Sequence, residues 1–286
     1  MMNTLAVDIG GTKFSLALFE GDRMILRESH PTNREGGRAW MMEHILPIAK
    51  SWRSDAGFSR CGIGFGGPVD FATQLTTVSN IVADWNNFPL TRVLQDELGV
   101  PTIMDNDANV GALGEARFGA GIGCDPLVYM TISTGIGGGL IAGGQIFRGA
   151  DSYAGEIGHI PVKPGGPRCL CGSEGCMERI CCGTWIEADN GKPAKELLAD
   201  PTFVQGYVAD LAVGLRSVIM LINPARIVIG GGISKAGDAL FVPLRAELQR
   251  QMPGWAGTRI DVVQASLGDD SVLYGALALA HDVGAA

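Results

Sequence analysis

The chain has 286 residues, 46% of them apolar, with 22 Lys or Arg against 30 Asp or Glu for a net charge of −8. That length makes one large or two modest domains with material for a real core, and an acidic balance without a Lys/Arg cluster argues against nucleic acid or an anionic membrane as partner. No apolar run approaches the roughly 18 residues of a membrane-spanning helix, and the opening Met1-Met2-Asn3-Thr4 lacks the basic region and apolar stretch of a signal peptide, so a soluble, cytoplasmic protein is expected.

Residues 5–9 read as a strand, Gly10-Gly11-Thr12 as a turn and residues 14–19 as a second strand, a glycine-turned hairpin. Residues 40–50 read as a helix, 61–65 as a short strand and 89–98 as a helix. Residues 101–105 form a strand ending in acidic and amide residues, and 108–118 a small-residue helix. The opening pattern then returns as strand 127–133, a turn at Thr134-Gly135-Ile136-Gly137-Gly138, and strand 140–147 broken by Gly143-Gly144. A strand–glycine turn–strand device used twice predicts a duplicated α/β unit with a cleft between the copies. A Cys-rich loop (161–182), a polar stretch (188–201) and a long helix (203–222) follow. A strand (227–229) closed by Gly230-Gly231-Gly232 and a terminal helix (271–281) complete the chain. The expected division is 1–116 plus 268–286 for a smaller α/β domain and 117–267 for a larger one.

Glycine is over-represented, at 42 of 286 residues, about twice the roughly 7% of average chains. It gathers at residues 62–67, 135–144 and 230–232, beside apolar β-rich segments, where backbone can approach a ligand or take positive φ. Tight turns alone explain any one cluster; several together point to a nucleotide or other phosphate ligand. In Asp8-Ile9-Gly10-Gly11-Thr12-Lys13, backbone amides and the Thr hydroxyl can hold phosphate oxygens, and Asp8 can orient Mg²⁺ through water. The spacing is neither that of a P-loop nor of a dinucleotide fingerprint, since a strand follows. A buried Asp in an ordinary hairpin is the bland alternative, and the second copy at 133–139 weighs against it.

Residues 8–13, Asn106-Asp107-Ala108-Asn109, residues 133–139, Ala154-Gly155-Glu156-Ile157-Gly158-His159 and Cys169-Leu170-Cys171-Gly172-Ser173-Glu174-Gly175-Cys176-Met177-Glu178 occur in that order. Together they resemble the motifs of the ROK family of bacterial sugar kinases, above all its glucokinase-like members, from residue 5 to about residue 280. The resemblance implies a two-lobed actin/hexokinase-like (ribonuclease H-like) α/β fold of duplicated domains with an interdomain cleft. It also implies ATP-dependent phosphorylation of a hexose, and a structural zinc.

Asp107 stands between a strand and a helix, where an acid can simply cap the helix. A kinase acting on an alcohol, however, needs a carboxylate that orients the hydroxyl and accepts its proton. The resemblance gives Asp107 that role and assigns Asn80, Asn106, Glu156, His159 and Glu178 to sugar hydroxyls. It places the ATP phosphates at Asp8, Gly10, Gly11, Thr12, Lys13, Thr134, Gly135 and Gly137, and adenosine at Gly231 and Gly232. Seven cysteines in a chain with cytosolic character argue against a disulfide framework. Cys169, Cys171 and Cys176 with His159 make a Cys₃His set suited to tetrahedral Zn²⁺, with no open position and hence structural. Cys61, Cys124, Cys181 and Cys182 read as packing residues.

The expected function is an ATP- and Mg²⁺-dependent hexose 6-kinase, glucose being the first-choice substrate and N-acetylmannosamine or fructose the alternatives. A non-catalytic sugar-sensing regulator is the rival of another class. A homodimer is the family expectation. The segment from Thr184 to Phe203 is shorter than in many relatives, and no room precedes Asp8 for the helix-turn-helix domain of the family's repressors.

Overall fold

Strands β1 (Thr4–Ile9) and β2 (Lys13–Glu20) are apolar and buried almost throughout, as strands covered on both faces must be. They are followed by β3 (Arg23–Pro31), α1 (Gly37–Asp55), β4 (Arg60–Phe65), β5 (Val69–Asp70), β6 (Leu75–Thr76), α2 (Leu90–Leu98), β7 (Thr102–Asn106) and α3 (Asp107–Phe118). Next come β8 (Leu127–Ile132), β9 (Ile136–Ala142), β10 (Gln145–Ile146), α4 (Met177–Cys181), α5 (Gly183–Asn190), α6 (Ala194–Leu197) and α7 (Pro201–Ile222). The chain closes with β11 (Arg226–Gly230), α8 (Asp238–Gln251), β12 (Val262–Gln264) and α9 (Ser271–Asp282). This computed structural model describes residues 3–77, 82–255 and 261–282. By internal packing the chain falls into two units: Met1–Phe118 with Arg148–Ala154 and Asp270–Ala286, and Gly119–Phe147 with Gly155–Asp269.

The first unit is built on a sheet of order β3-β2-β1-β4-β7, antiparallel through β3, β2 and β1 and parallel from β1 to β7. Leu5, Val7, Ile9, Phe14, Leu16 and Leu18 share one face by their two-residue period and form a core with Met41, Ile45 and Trp52 of α1 and Leu90 and Leu94 of α2. The opposite face is small at Ala6, Ala17, Gly62 and Gly64, with Phe19 set edge-on against Tyr274 of α9, and takes α3 and α9 at backbone distance at its glycines. A Cβ on Gly62 would stand 1.9 Å from the Ala276 carbonyl oxygen, and one on Gly64 2.3 Å from Val272 Cγ1. These two glycines of the 62–67 cluster therefore serve helix packing. That corrects the reading of the whole cluster as a sign of phosphate.

The second unit repeats the plan, with a sheet of order β10-β9-β8-β11-β12, antiparallel through β10, β9 and β8 and parallel from β8 to β12. In both sheets the third strand is at the edge, then the second and the first, so the duplication read from the two hairpins extends to the topology. The predicted break at Gly143-Gly144 is a two-residue loop with φ of 62° and 72°, the conformation that favours glycine in tight hairpins. Asp125 accepts both amides.

Strand β3 and helix α8 are among the elements that escape a reading of the sequence. Strand β3 is a largely exposed edge strand, without the apolar alternation by which strands are recognised. Helix α8 carries Pro243 inside it, a signal that normally ends a helix; α1, read at residues 40–50, also continues through its Pro47 and extends from Gly37 to Asp55. One expectation is corrected: α7 is long and apolar enough to cross a membrane by length and composition. It carries Asp210 and Arg216, and its Tyr207, Leu211, Leu215 and Val218 are buried within the second unit.

Candidate active site

Parallel pairing brings Asp8 beside Gly64 and Gly64 beside Asp105, so β1, β4 and β7 end together. Asn106 and Asp107 follow at the β7–α3 junction. The Asn106 Oδ1 accepts the amides of Ala108 (3.0 Å) and Asn109 (3.3 Å), and its Nδ2 donates to the Gly67 carbonyl at 3.0 Å. Asn106 thus performs the capping expected as the bland role of Asp107. Asp107 accepts the Ala108 amide at Oδ1 (2.8 Å), while its Oδ2 lies 3.5 Å from where a Cβ on Gly66 would sit. Asp8 is only 8% exposed. Burial, reinforced by the charge of Asp107, pushes its carboxyl up to about 7 against the pull of Lys13 and Arg27.

The first glycine turn closes with the Gly10 amide on the Lys13 carbonyl at 3.0 Å. Its carbonyls are held from β3's far end: Thr32 Oγ1 donates to Gly10 (2.8 Å), Arg34 Nε to Gly11 (2.8 Å), and the Thr32 amide to Thr12 (2.9 Å). A turn whose carbonyls are occupied by the protein presents amides, the groups that bind phosphate oxygens.

In the second unit the Ser133 amide closes the matching turn on Gly135 at 2.9 Å. Glu178, in the first turn of α4, accepts the Ile136 amide at 2.9 Å through Oε2. Glu156 is exposed, yet partial desolvation by the protein beside it raises its carboxyl above the usual range; His159 opposes the rise and Glu178 adds to it. The three predicted sugar ligands of this unit are therefore one electrostatic group. Loop 155–159 lies directly on β9. A Cβ on Gly138 would meet the Gly155 carbonyl at 2.5 Å, and one on Gly158 the Ile136 carbonyl at 2.5 Å.

His159 turns Nδ1 toward Cys169 Sγ at 3.8 Å, and Cys171 and Cys176 sulfurs are 3.6 Å apart. All four donor atoms lie within 4.8 Å of one another. Tetrahedral zinc with S and N ligands would set such atoms roughly 3.6–3.8 Å apart, so the donors fit that ion. A backbone hydrogen bond from Ser173 lowers the Cys171 thiol to about 7, whereas burial pushes Cys176 up to about 12. Cys61, Cys181 and Cys182 are buried; Cys124 is only partly so.

A cavity of about 750 Å³ opens beside the second turn, lined by Ser133, Thr134 and Gly232 on one side and Glu187, Lys195 and Leu198 on the other. Its size suits a small organic ligand. Of the polar stretch read at residues 188–201, Ala194, Lys195, Leu198 and Ala199, on and just after α6, line the cavity, whereas the α5 residues that line it, Gly183, Thr184 and Glu187, precede the stretch.

The ROK family model matches residues 4–283. The chain belongs to the ROK family. It is 33% identical to a glucokinase of Thermotoga maritima, over 97% of each protein. Its fold superposes on a ROK hexokinase from Thermus thermophilus with a TM-score of 0.87, 32% identity and complete coverage of both chains. A ROK glucokinase from Streptomyces griseus in complex with glucose and AMPPNP gives 0.84 at 28% identity, over 98% of this chain and 99% of that one. The expected α/β actin/hexokinase-like class is thus borne out.

Against the ROK expectation, the first unit gathers Asp8, Gly10, Gly11, Thr12, Lys13, Asn106 and Asp107. The second gathers Thr134 and Gly135 with Glu156, His159, Glu178 and the metal donors. Gly137 is paired with Thr131 inside the β8–β9 ladder. Gly231 has φ 81° and would bring a Cβ within 2.4 Å of the Ile132 carbonyl; Gly232 lines the cavity. Asn80 lies outside the described residues. Sequence reading missed Asp105, Asn109, Thr32, Arg34 and Arg148. Asp105 and Asn109 were within reach, adjoining or inside a quoted motif, but Arg34 and Arg148 stand far along the chain from the groups they hold.

Proposed function

We propose that this ROK protein is an ATP-dependent hexose 6-kinase acting on glucose. The observation that carries the reading is the division of labour at α3: Asn106 caps the helix, while Asp107 Oδ2 lies beside Gly66. A carboxylate fixed by one oxygen and directed by the other suits proton acceptance. By the family resemblance Asn106, Asp107, Glu156, His159 and Glu178 are the groups that bind sugar hydroxyls. Asn106 Nδ2 donates one hydrogen to the Gly67 carbonyl, and its second N–H is the group for a sugar oxygen. Adenosine occupies the cavity by Gly232, whose aliphatic wall at Leu198, Ile233 and Ala236 suits a nucleoside. Each glycine turn offers backbone amides to phosphate oxygens. Asp8 would hold Mg²⁺ through water, and the ion would neutralise charge on the phosphate oxygens. In the transfer the sugar 6-oxygen bonds to the γ-phosphorus, the bond to the ADP oxygen breaks, and the hydroxyl proton passes to Asp107. Zinc on His159, Cys169, Cys171 and Cys176 has a structural role: it holds the loop that precedes Glu178 and leaves His159 Nε2 for a hydroxyl. The homodimer and cytoplasmic location belong to the same reading.

The test is coupled ADP release with glucose, mannose, fructose, N-acetylglucosamine, N-acetylmannosamine and allose. Glucose should lead. Asp107→Asn should lower kcat by at least about 100-fold while calorimetry still detects glucose. Glucose binding with no turnover of any sugar by the unaltered protein would instead establish a sugar sensor.

A further inference from the structure

Arg148 opens a stretch, Arg148–Ala154, that packs with the first unit although the chain on either side belongs to the second. Its Nε donates to Asp105 Oδ2 at 2.7 Å, and its guanidinium lies 3.5 Å above the Phe71 ring. Asp105 is 1% exposed. Its other oxygen accepts the Asn106 backbone amide (2.7 Å) and the Asn109 side-chain amide (3.1 Å). Phe71 is itself anchored: Gln74 donates to its carbonyl and bonds both backbone groups of Met104 on β7, while Ser152 accepts its amide. The ion pair therefore stands at the centre of a network that ends on β7 and the first turn of α3.

We infer that Arg148 is a positioning residue for the phosphoryl transfer proposed above, on which this inference rests. By fixing Asp105 it fixes Asn106 and, through the next peptide, the carboxylate of Asp107. A buried carboxylate that loses its cation must take up a proton or turn toward water. Either change weakens acceptance from Asn106 and Asn109, the two bonds that set the register just before and after Asp107. Displacement of a reacting group by about 1 Å costs about 100-fold in rate. Arginine suits the place because a planar guanidinium stacks on an aromatic ring while donating in its plane, which an ammonium does not.

The experiment compares Arg148→Ala, Arg148→Lys and the double variant Asp105→Asn with Arg148→Ala in the full-length protein. Arg148→Ala should lower kcat by about 30- to 100-fold with the KM for ATP within about 2-fold, and Arg148→Lys should recover part of the loss. The double variant buries no stranded charge, so its Tm should return toward that of the unaltered protein while kcat stays low. Recovery of kcat along with Tm would overturn the inference and leave Arg148 a packing residue. Should Arg148→Ala not fold, the double variant decides. Amide exchange at Ala108 and Asn109, whose N–H groups bond Asn106, gives a readout independent of turnover. Faster exchange in the double variant is expected, and unchanged exchange refutes the positioning role. Absence of sugar turnover by the unaltered protein would overturn the kinase reading alone, with exchange still judging Arg148.

Discussion

Glu178 Oε2 accepts the Ile136 amide at 2.9 Å, joining the helix that follows the metal loop to the second glycine turn. A predicted sugar ligand is thereby also a brace for a predicted phosphate site. Glu178→Ala should lower kcat/KM about 10- to 100-fold, the range for lost hydrogen bonds to a charged group, and should raise the KM for ATP as well as for glucose. Glu178→Gln keeps an acceptor for Ile136 and should restore ATP but not glucose. Initial rates with each substrate varied check this; an unmoved ATP KM in the Ala variant refutes the brace.

Asp8 titrates near 7 in the folded protein against 3.8 ordinarily, through burial and the charge of Asp107. Between those values the folded state keeps a proton that the unfolded chain has released, so this group makes stability fall as pH rises from about 4 to about 7, with no further loss above. The shift corresponds to about 4 kcal/mol at most. Asp8→Asn should flatten the fall and melt higher than the unaltered protein at pH 8. Thermal melts from pH 5 to 8 test it, and parallel slopes in the two proteins would sink the idea.

Cys171→Ser should abolish zinc, measured as metal per chain, and lower the Tm, since structural zinc contributes on the order of 10 kcal/mol in the smallest domains and a smaller share here. His159 offers one nitrogen to the cluster and lies three residues from Glu156, so the KM for glucose should rise too. Cys181→Ala, buried against Tyr207, should keep its zinc. Equal metal content in the Cys171 and unaltered proteins would remove the Cys₃His assignment.

Gly275 on α9 would place a Cβ 1.7 Å from the Val110 carbonyl of α3. Gly275→Ala should destabilise by about 3 kcal/mol or more, because backbone rather than a flexible side chain must yield, and should lower kcat by moving the helix that begins at Asp107. Gly206 is exposed in α7 with nothing within 4 Å of such a Cβ. Gly206→Ala should stabilise by about 0.5–1 kcal/mol. Chemical unfolding of both variants tests the pair.

The sequence by itself determined the two hairpins, the order of the motifs and the three closely spaced cysteines of the Cys₃His cluster, because each is local: a turn needs its own glycines and a cysteine loop its own spacing. It could not assign the glycines, since Gly10 at a turn and Gly62 against α9 look alike until the helix is in place. It could not show the exposed edge strand β3, or that Asn106 rather than Asp107 caps α3. Nor could it pair Arg148 with Asp105, 43 positions apart. Only the tertiary structure decided these, because a buried carboxylate takes its counter-charge from whatever the fold brings alongside, and spacing along the chain carries no record of that choice.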